Sequence, residues 1–208
     1  YIDALRKTEK NYKKSYKLSK LRTICSTGSP LSEDGFNYVY KNIKKDVHLA
    51  SISGGTDIVS CFVLGNLYQP VYSGEIQNKA LGMDVRVFNE KGQSVLNKKG
   101  ELVCVNPFPS MPLKFWNDKN NKKYENAYFN KFKNIWYHGD YAKVTSNNGF
   151  IISGRSDTTL NPGGVRLGTA EIYSEIERFI EIKESLVVGQ SWDNDCLLYT
   201  SPSPRDHW

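Results

Sequence analysis

Two arginines eleven residues apart, Arg155 and Arg166, bracket a Gly163-Gly164 pair in the string GRSDTTLNPGGVRLGTAEIY, with Asp157 close behind the first of them. A guanidinium fork can hold two oxygens of an anion at once, and glycines let backbone and ligand approach closely, so such a loop suits a phosphate-bearing ligand. The same spacing is equally that of a surface turn with two solvated arginines. Elsewhere the residues that could do chemistry are scattered. His48 and His138 read as solitary, without the neighbouring carboxylates or thiols that a metal site or a nucleophilic triad needs. Cys25, Cys61 and Cys104 stand far apart with no CxxC spacing and read as small buried hydrophobes in a reducing compartment.

The elements that must position the arginine loop can be read on either side of it. Arg155 closes the apolar run Phe150-Ile151-Ile152, and Thr169 can cap a helix whose Ile172, Ile176 and Phe179 share one face, which predicts strand, loop, then helix. Upstream, the pattern predicts the end of a helix over 1–10, a strand over 21–26 and a turn at Gly28-Ser29-Pro30. A helix over 34–45 follows, with Phe36, Val39, Tyr40 and Ile43 at helical spacing, and then a strand over 47–53. Together these make a β-α-β unit. From Val71 the character changes to short strands, GEIQ, MDVRVFN, ELVCV and NIWYHGDYAKV, separated by turns such as Asn147-Asn148-Gly149. A last strand is expected over 185–190.

Composition bounds the reading. A chain of 208 residues with 39% hydrophobic content has room for one good core or two modest ones. The net charge of +6 and the interleaved lysines and tyrosines from Lys7 to Lys20 would suit nucleic acid, but the charges are not gathered into a stripe. That segment reads as a solvated helix end and loop, and no nucleic-acid partner is expected. No apolar run approaches the roughly 18–20 residues that cross a bilayer, so no membrane partner is expected. No internal repeat is present.

Longer strings settle the class. STGSPL (26–31), SISGGTDI (51–58), GELVCVNPFPSMPLKFWND (100–118), WYHGDYA (136–142) and the arginine-loop string occur in the order and spacing of the adenylate-forming enzymes. The chain resembles that acyl-CoA synthetase and luciferase superfamily from its first residues to about Trp192. The resemblance implies a fold class of α/β plus a β-rich subdomain, ending just inside a small α+β C-terminal domain. Residues 1–156 would belong to the large AMP-binding domain, with the β-α-β segment over about 1–66 and the β-rich subdomain over about 70–155. Residues 157–195 would open the small mobile domain, with Asp157 as the hinge.

The resemblance also implies a cytoplasmic enzyme that activates a short acid with ATP and Mg²⁺, through an acyl-adenylate, and passes it to coenzyme A. Acetoacetate is the implied acid, with acetate or propionate as alternatives; a non-catalytic adenylate-binding protein and a basic nucleic-acid-binding module are the rivals outside that class. Asp140 matches the ribose-binding position, where a carboxylate offers two acceptor oxygens to vicinal hydroxyls; a strand-end aspartate in a turn has the same appearance. Thr56 matches the position that contacts the α-phosphate, and Asp57 the position that holds Mg²⁺, with a carboxylate one methylene shorter than the glutamate of most relatives. An Asx turn after Gly54-Gly55 is the alternative for Asp57. Ser29 and Pro30 match the adenine-pocket turn, and Arg155 and Arg166 match positions near the ribose and phosphates, Arg166 with Thr56 having catalytic roles. Gly163 and Gly164 match the loop lining the coenzyme A channel. Gly54 stands where acetate-using relatives carry a tryptophan that walls off the acid pocket, so its missing side chain would leave room for acetoacetate.

Both ends read as cut. Tyr1 is not a methionine, and CLLYTSPSPRD (196–206) resembles translated sequencing-library adapter DNA, so residues 196–208 are expected to be a non-native tail. The family's phosphate loop would lie before Tyr1 and its distal lysine beyond Trp192, so the chain alone is expected to be inactive.

Overall fold

A computed structural model describes residues 1–8, 11–157, 169–176, 178–179, 181–182, 185–192 and 196–200, with backbone alone over 188–192 and 196–200. Helices α1 (Ile2–Lys7) and α2 (Tyr12–Ser15) precede strand β1 (Thr23–Ser26). Helix α3 (Glu33–Tyr38) then leads to β2 (His48–Ser51), which pairs parallel with β1 from Thr23↔His48 to Ser26↔Ser51. This is the expected β-α-β unit. Ser32 starts α3 by accepting from the Gly35 amide, and Glu33 and Asp34 place negative charge in its first turn. Past Tyr38 the helix widens into a π turn over Val39–Ile43, which alters the strict 3.6-residue period. Phe36, Val39 and Ile43 are nevertheless buried with Val47 and Leu49.

The predicted strand over 47–53 is two elements. β2 ends at Ser51, and Ser53–Gly55 forms β3, which turns back antiparallel on β4 (Ser60–Leu64), itself edged by β5 (Asn78–Lys79). The register slips between Ser53 and Gly54, because Ser53 faces Val63 while Gly54 faces Cys61. GEIQ is not a strand: within it Ile76 makes an isolated bridge to Phe150.

The β-rich region is a four-stranded antiparallel sheet of β6 (Val85–Phe88), β7 (Gly100–Cys104), β8 (Trp136–Val144) and β9 (Phe150–Arg155). Strand β7 is buried at every residue, which is why its Leu102-Val103-Cys104 run is continuously apolar rather than alternating. One face of the sheet packs Val85, Val87, Leu102, Trp136, Ala142 and Phe150 against Ile58 and Phe62 of the β3–β4 hairpin. The other face packs Val103 with Phe88 and Phe132.

Helix α4 (Lys122–Tyr128) was not expected from the sequence. Its apolar positions are two tyrosines four residues apart, Tyr124 and Tyr128, and both lie on Trp136; the Tyr128 and Trp136 rings stack at 3.7 Å and 14°. Asp118 tethers the start of the helix by accepting from the amides of Lys123 and Tyr124 at 3.0 and 2.9 Å.

Helix α5 (Thr169–Ile176) begins at the end of the arginine-loop string, and its Glu171 pairs with Lys99 at 2.8 Å. Phe179 of its expected apolar face lies past the described helix and is 59% exposed. Strands β10 (Val188–Trp192) and β11 (Cys196–Thr200) pair antiparallel, so the last strand begins later than expected. The adapter-like stretch therefore overlaps β11, and 201–208 lie outside the described residues. Among the described residues no helix is long and apolar enough to cross a membrane. Cys25 is exposed and Cys61 only partly buried, so of the three cysteines read as buried hydrophobes only Cys104 is one.

Candidate active site

Four chain segments far apart in sequence meet here: the turn after β1, the end of β3, the middle of β8 and the end of β9. Ser29, Pro30, Gly54, Thr56, Asp140 and Arg155 line one cleft of about 1760 Å³. Asp57 lines a hollow of about 230 Å³ that shares Gly54, Thr56, His138 and Arg155 with the cleft. The other expected site residues, Gly163, Gly164 and Arg166, lie outside the described residues.

The registers of β8 and β9 create the charged centre. Asp140 faces Arg155 directly; Tyr141 then faces Gly154 and Ala142 faces Ile152, so Ser153 is an extra residue that bulges β9 beside the site. Arg155 Nη1 lies 3.4 Å from Asp140 Oδ1 and donates to the His138 carbonyl at 3.1 Å. Its Nε and Nη2 grip both oxygens of Asp157 at 3.0 and 2.8 Å. The bidentate pair with Asp157 raises the Arg155 pKa further above its ordinary value. Gly139 makes this possible. It sits at φ +83°, and a β-carbon there would fall 2.7 Å from Arg155 Nη2. The proposed hinge residue is therefore also the clamp on a site arginine, a link the sequence reading did not make.

His138 corrects the reading of that residue as solitary. Its Nε2 lies 3.0 Å from the Gly54 carbonyl and 3.6 Å from Asp140 Oδ2. A carbonyl only accepts, so Nε2 carries the proton and donates to Gly54. Burial pushes the His138 pKa down, against the upward pull of Asp140, so the ring is neutral. Burial likewise raises the pKa of Asp140, opposed by His138 and Arg155. One signal was available in the sequence: His138 and Asp140 are two apart on a strand and so share a face.

Tyr128 is the other residue missed. Its hydroxyl donates to Asp57 Oδ2 in a short hydrogen bond. Burial and that bond raise the Tyr128 pKa, so it remains a donor at any physiological pH. Among the described residues no three His, Cys, Asp or Glu side chains gather as a metal cluster. A single carboxylate with waters and substrate phosphates is the usual way of holding Mg²⁺, and Asp57, exposed at the rim with Oδ2 on Tyr128, fits that mode.

The volume argument for Gly54 fails on geometry. A β-carbon built on Gly54 would lie 2.2 Å from the Ser60 carbonyl oxygen and 2.5 Å from Cys61 Cα, so it points into β4. Gly54 lines the cleft with backbone, and glycine is needed there for the close approach of β3 and β4 at their register slip.

No protein-family model matches the chain. Curated relatives do: it is 57% identical over 195 residues to the acetoacetyl-coenzyme A synthetase of Rhizobium meliloti, covering 94% of this chain. It is 53% identical over 177 residues to the acetoacetyl-CoA synthetase of Xenopus tropicalis, covering 85% of this chain.

The chain is homologous to the acetoacetyl-CoA synthetases.

It spans 30% of the length of the first of these relatives and 26% of the second. Among solved structures, the acetoacetyl-CoA synthetase from Streptomyces lividans superposes with a TM-score of 0.85 at 38% identity, covering 100% of this chain and 32% of that one. An anthranilate CoA ligase in complex with anthranoyl-AMP superposes at a TM-score of 0.76 and 19% identity over 96% of this chain and 37% of that one, a likeness of fold. The α/β fold with its β-rich region is thus that of adenylate-forming synthetases.

Proposed function

We propose that a full-length protein carrying this segment is an acetoacetate–CoA ligase. It joins acetoacetate to coenzyme A at the expense of ATP, releasing AMP and pyrophosphate through an acetoacetyl-adenylate. The observation that carries the reading is 57% identity over nearly the whole segment to a synthetase of that name. The cleft supports it, because Ser29 and Pro30, matched to adenine, Asp140, matched to the ribose, and Thr56 and Arg155, matched to the phosphate side, line a single space.

In this reading the adenine packs on the Ser29-Pro30 turn and Asp140 accepts from the ribose hydroxyls. Thr56 donates to an α-phosphate oxygen. Arg155, held by Asp157, keeps a fixed positive charge beside the ribose and phosphate, where negative charge develops as the carboxylate attacks. Asp57 would hold Mg²⁺, which when bound neutralises phosphate charge. Arg166 is assigned to the phosphates, and Gly163 and Gly164 to the coenzyme A channel. The large and small domains would meet at Asp157, whose rotation separates adenylation from thioester formation.

The test is thioester formation from ATP, coenzyme A and each of acetoacetate, acetate and propionate by a full-length protein carrying the segment. Acetoacetate is expected to give the highest kcat/KM. Equal efficiency with all three acids would reduce the assignment to a general short-acid ligase.

A further inference from the structure

His138 is a buried polar residue that none of the proposed chemical steps uses. Its ring packs edge-on to Phe62 at a centroid distance of 4.7 Å, and a β-carbon on Gly55 would come within 2.8 Å of its Cε1. Nδ1 is buried without a hydrogen-bond partner. A ring that only filled space here would be better served by phenylalanine, which leaves no polar atom orphaned. What the imidazole adds is the Nε2–H bond to the Gly54 carbonyl, 84 residues away in sequence. That bond ties two walls of the cleft together. Gly54 is two residues before Thr56 on the hairpin, and His138 is two residues before Asp140 on β8. Arg155 fixes the opposite side of the same residue by donating to the His138 backbone carbonyl.

We propose that His138 is a positioning residue: by donating to the Gly54 carbonyl it clamps the Thr56–Asp57 loop to the strand that carries Asp140, and so sets the spacing between the phosphate side and the ribose side of the cleft. The functional part rests on the adenylate reading of the cleft. Its substrate-level consequence is specific, because a loosened loop misplaces the phosphate groups of a nucleotide still anchored at its ribose. Loss falls on the chemical step more than on nucleotide binding.

The experiment compares His138→Phe, which keeps the ring and the Phe62 contact but removes the donor, with His138→Gln, whose amide nitrogen reaches about as far as Nε2. Both are measured in a full-length synthetase carrying this segment. His138→Phe is expected to lower kcat for ATP–pyrophosphate exchange by about tenfold or more, with a much smaller rise in the KM for ATP. His138→Gln should restore most of kcat. Amide hydrogen exchange over residues 53–60 gives a readout independent of activity: it should quicken in His138→Phe and return toward wild type in His138→Gln. Unchanged exchange over 53–60 in His138→Phe overturns the clamp. So does equal loss of kcat in both variants, which would mark a packing role. If wild-type protein shows no acid-dependent pyrophosphate exchange, the ligase reading fails, and the hydrogen-exchange result alone decides whether the clamp stands.

Discussion

Replacing Asp140 by asparagine separates its binding role from any part it plays in the fold. Asp140 is 7% exposed and burial disfavours its ionised form, so a neutral amide of the same shape removes an electrostatic cost. Arg155 is not stranded by the change, because Asp157 still grips it through two hydrogen bonds. Folding stability should therefore move by no more than about 1 kcal/mol. Nucleotide binding should suffer. A carboxylate can accept from both ribose hydroxyls and an amide oxygen replaces it poorly, so the lost charged hydrogen bond costs roughly 1.5–3 kcal/mol. At about 1.4 kcal/mol per decade this is roughly a tenfold to a hundredfold rise in the KM for ATP. Steady-state kinetics in a full-length synthetase carrying the segment measures one effect, and urea denaturation the other. An unchanged KM in a folded variant would refute the ribose assignment. A loss of several kcal/mol in stability with a parallel loss of activity would show Asp140 to be a fold residue instead.

Because burial lowers the His138 pKa, the folded state resists protonating it; this stability is present above the unfolded value of about 6.5 and is lost as pH falls below it. His138→Gln should accordingly flatten the fall in denaturation midpoint between about pH 6.5 and pH 5, and an unchanged slope would contradict a neutral buried ring. Tyr128→Phe removes the donor that orients Asp57, so the Mg²⁺ concentration for half-maximal activity should rise about threefold to tenfold while the KM for acetoacetate holds; a Mg²⁺ titration that overlays wild type would count against Asp57 as the metal's carboxylate. Asp157→Ala frees the Arg155 fork and should raise the KM for ATP, whereas Asp157→Pro should in addition slow thioester formation from supplied acyl-adenylate by fixing φ at the hinge. Identical single-turnover rates in the two variants would remove the hinge role.

What could be read from the sequence was what depends on local pattern. Phe36, Val39 and Ile43 recur at helical spacing and do face the core, so α3 and the parallel pairing of its flanking strands were legible, although the π turn was not. Helix α4 was hidden because its packing is carried by Tyr124 and Tyr128 alone, and their partner Trp136 lies on another element. The candidate site residues were picked out by their likeness to family strings. Their interplay was not, since it depends on register: the bulge at Ser153 sets Arg155 opposite Asp140, and the slip at Gly54 turns that residue's missing side chain toward β4. The size argument for acid choice failed for this reason.

ATP–pyrophosphate exchange tests the central claim most directly, because it reports adenylate formation separately from thioester formation. A full-length synthetase carrying this segment, given radiolabelled pyrophosphate, ATP and Mg²⁺, should exchange label into ATP only when acetoacetate is present, and Asp140→Asn should weaken that exchange at low ATP. Exchange that proceeds equally without acid, or none at all with acetoacetate while the protein is folded, would contradict the assignment of this cleft to acyl-adenylate chemistry.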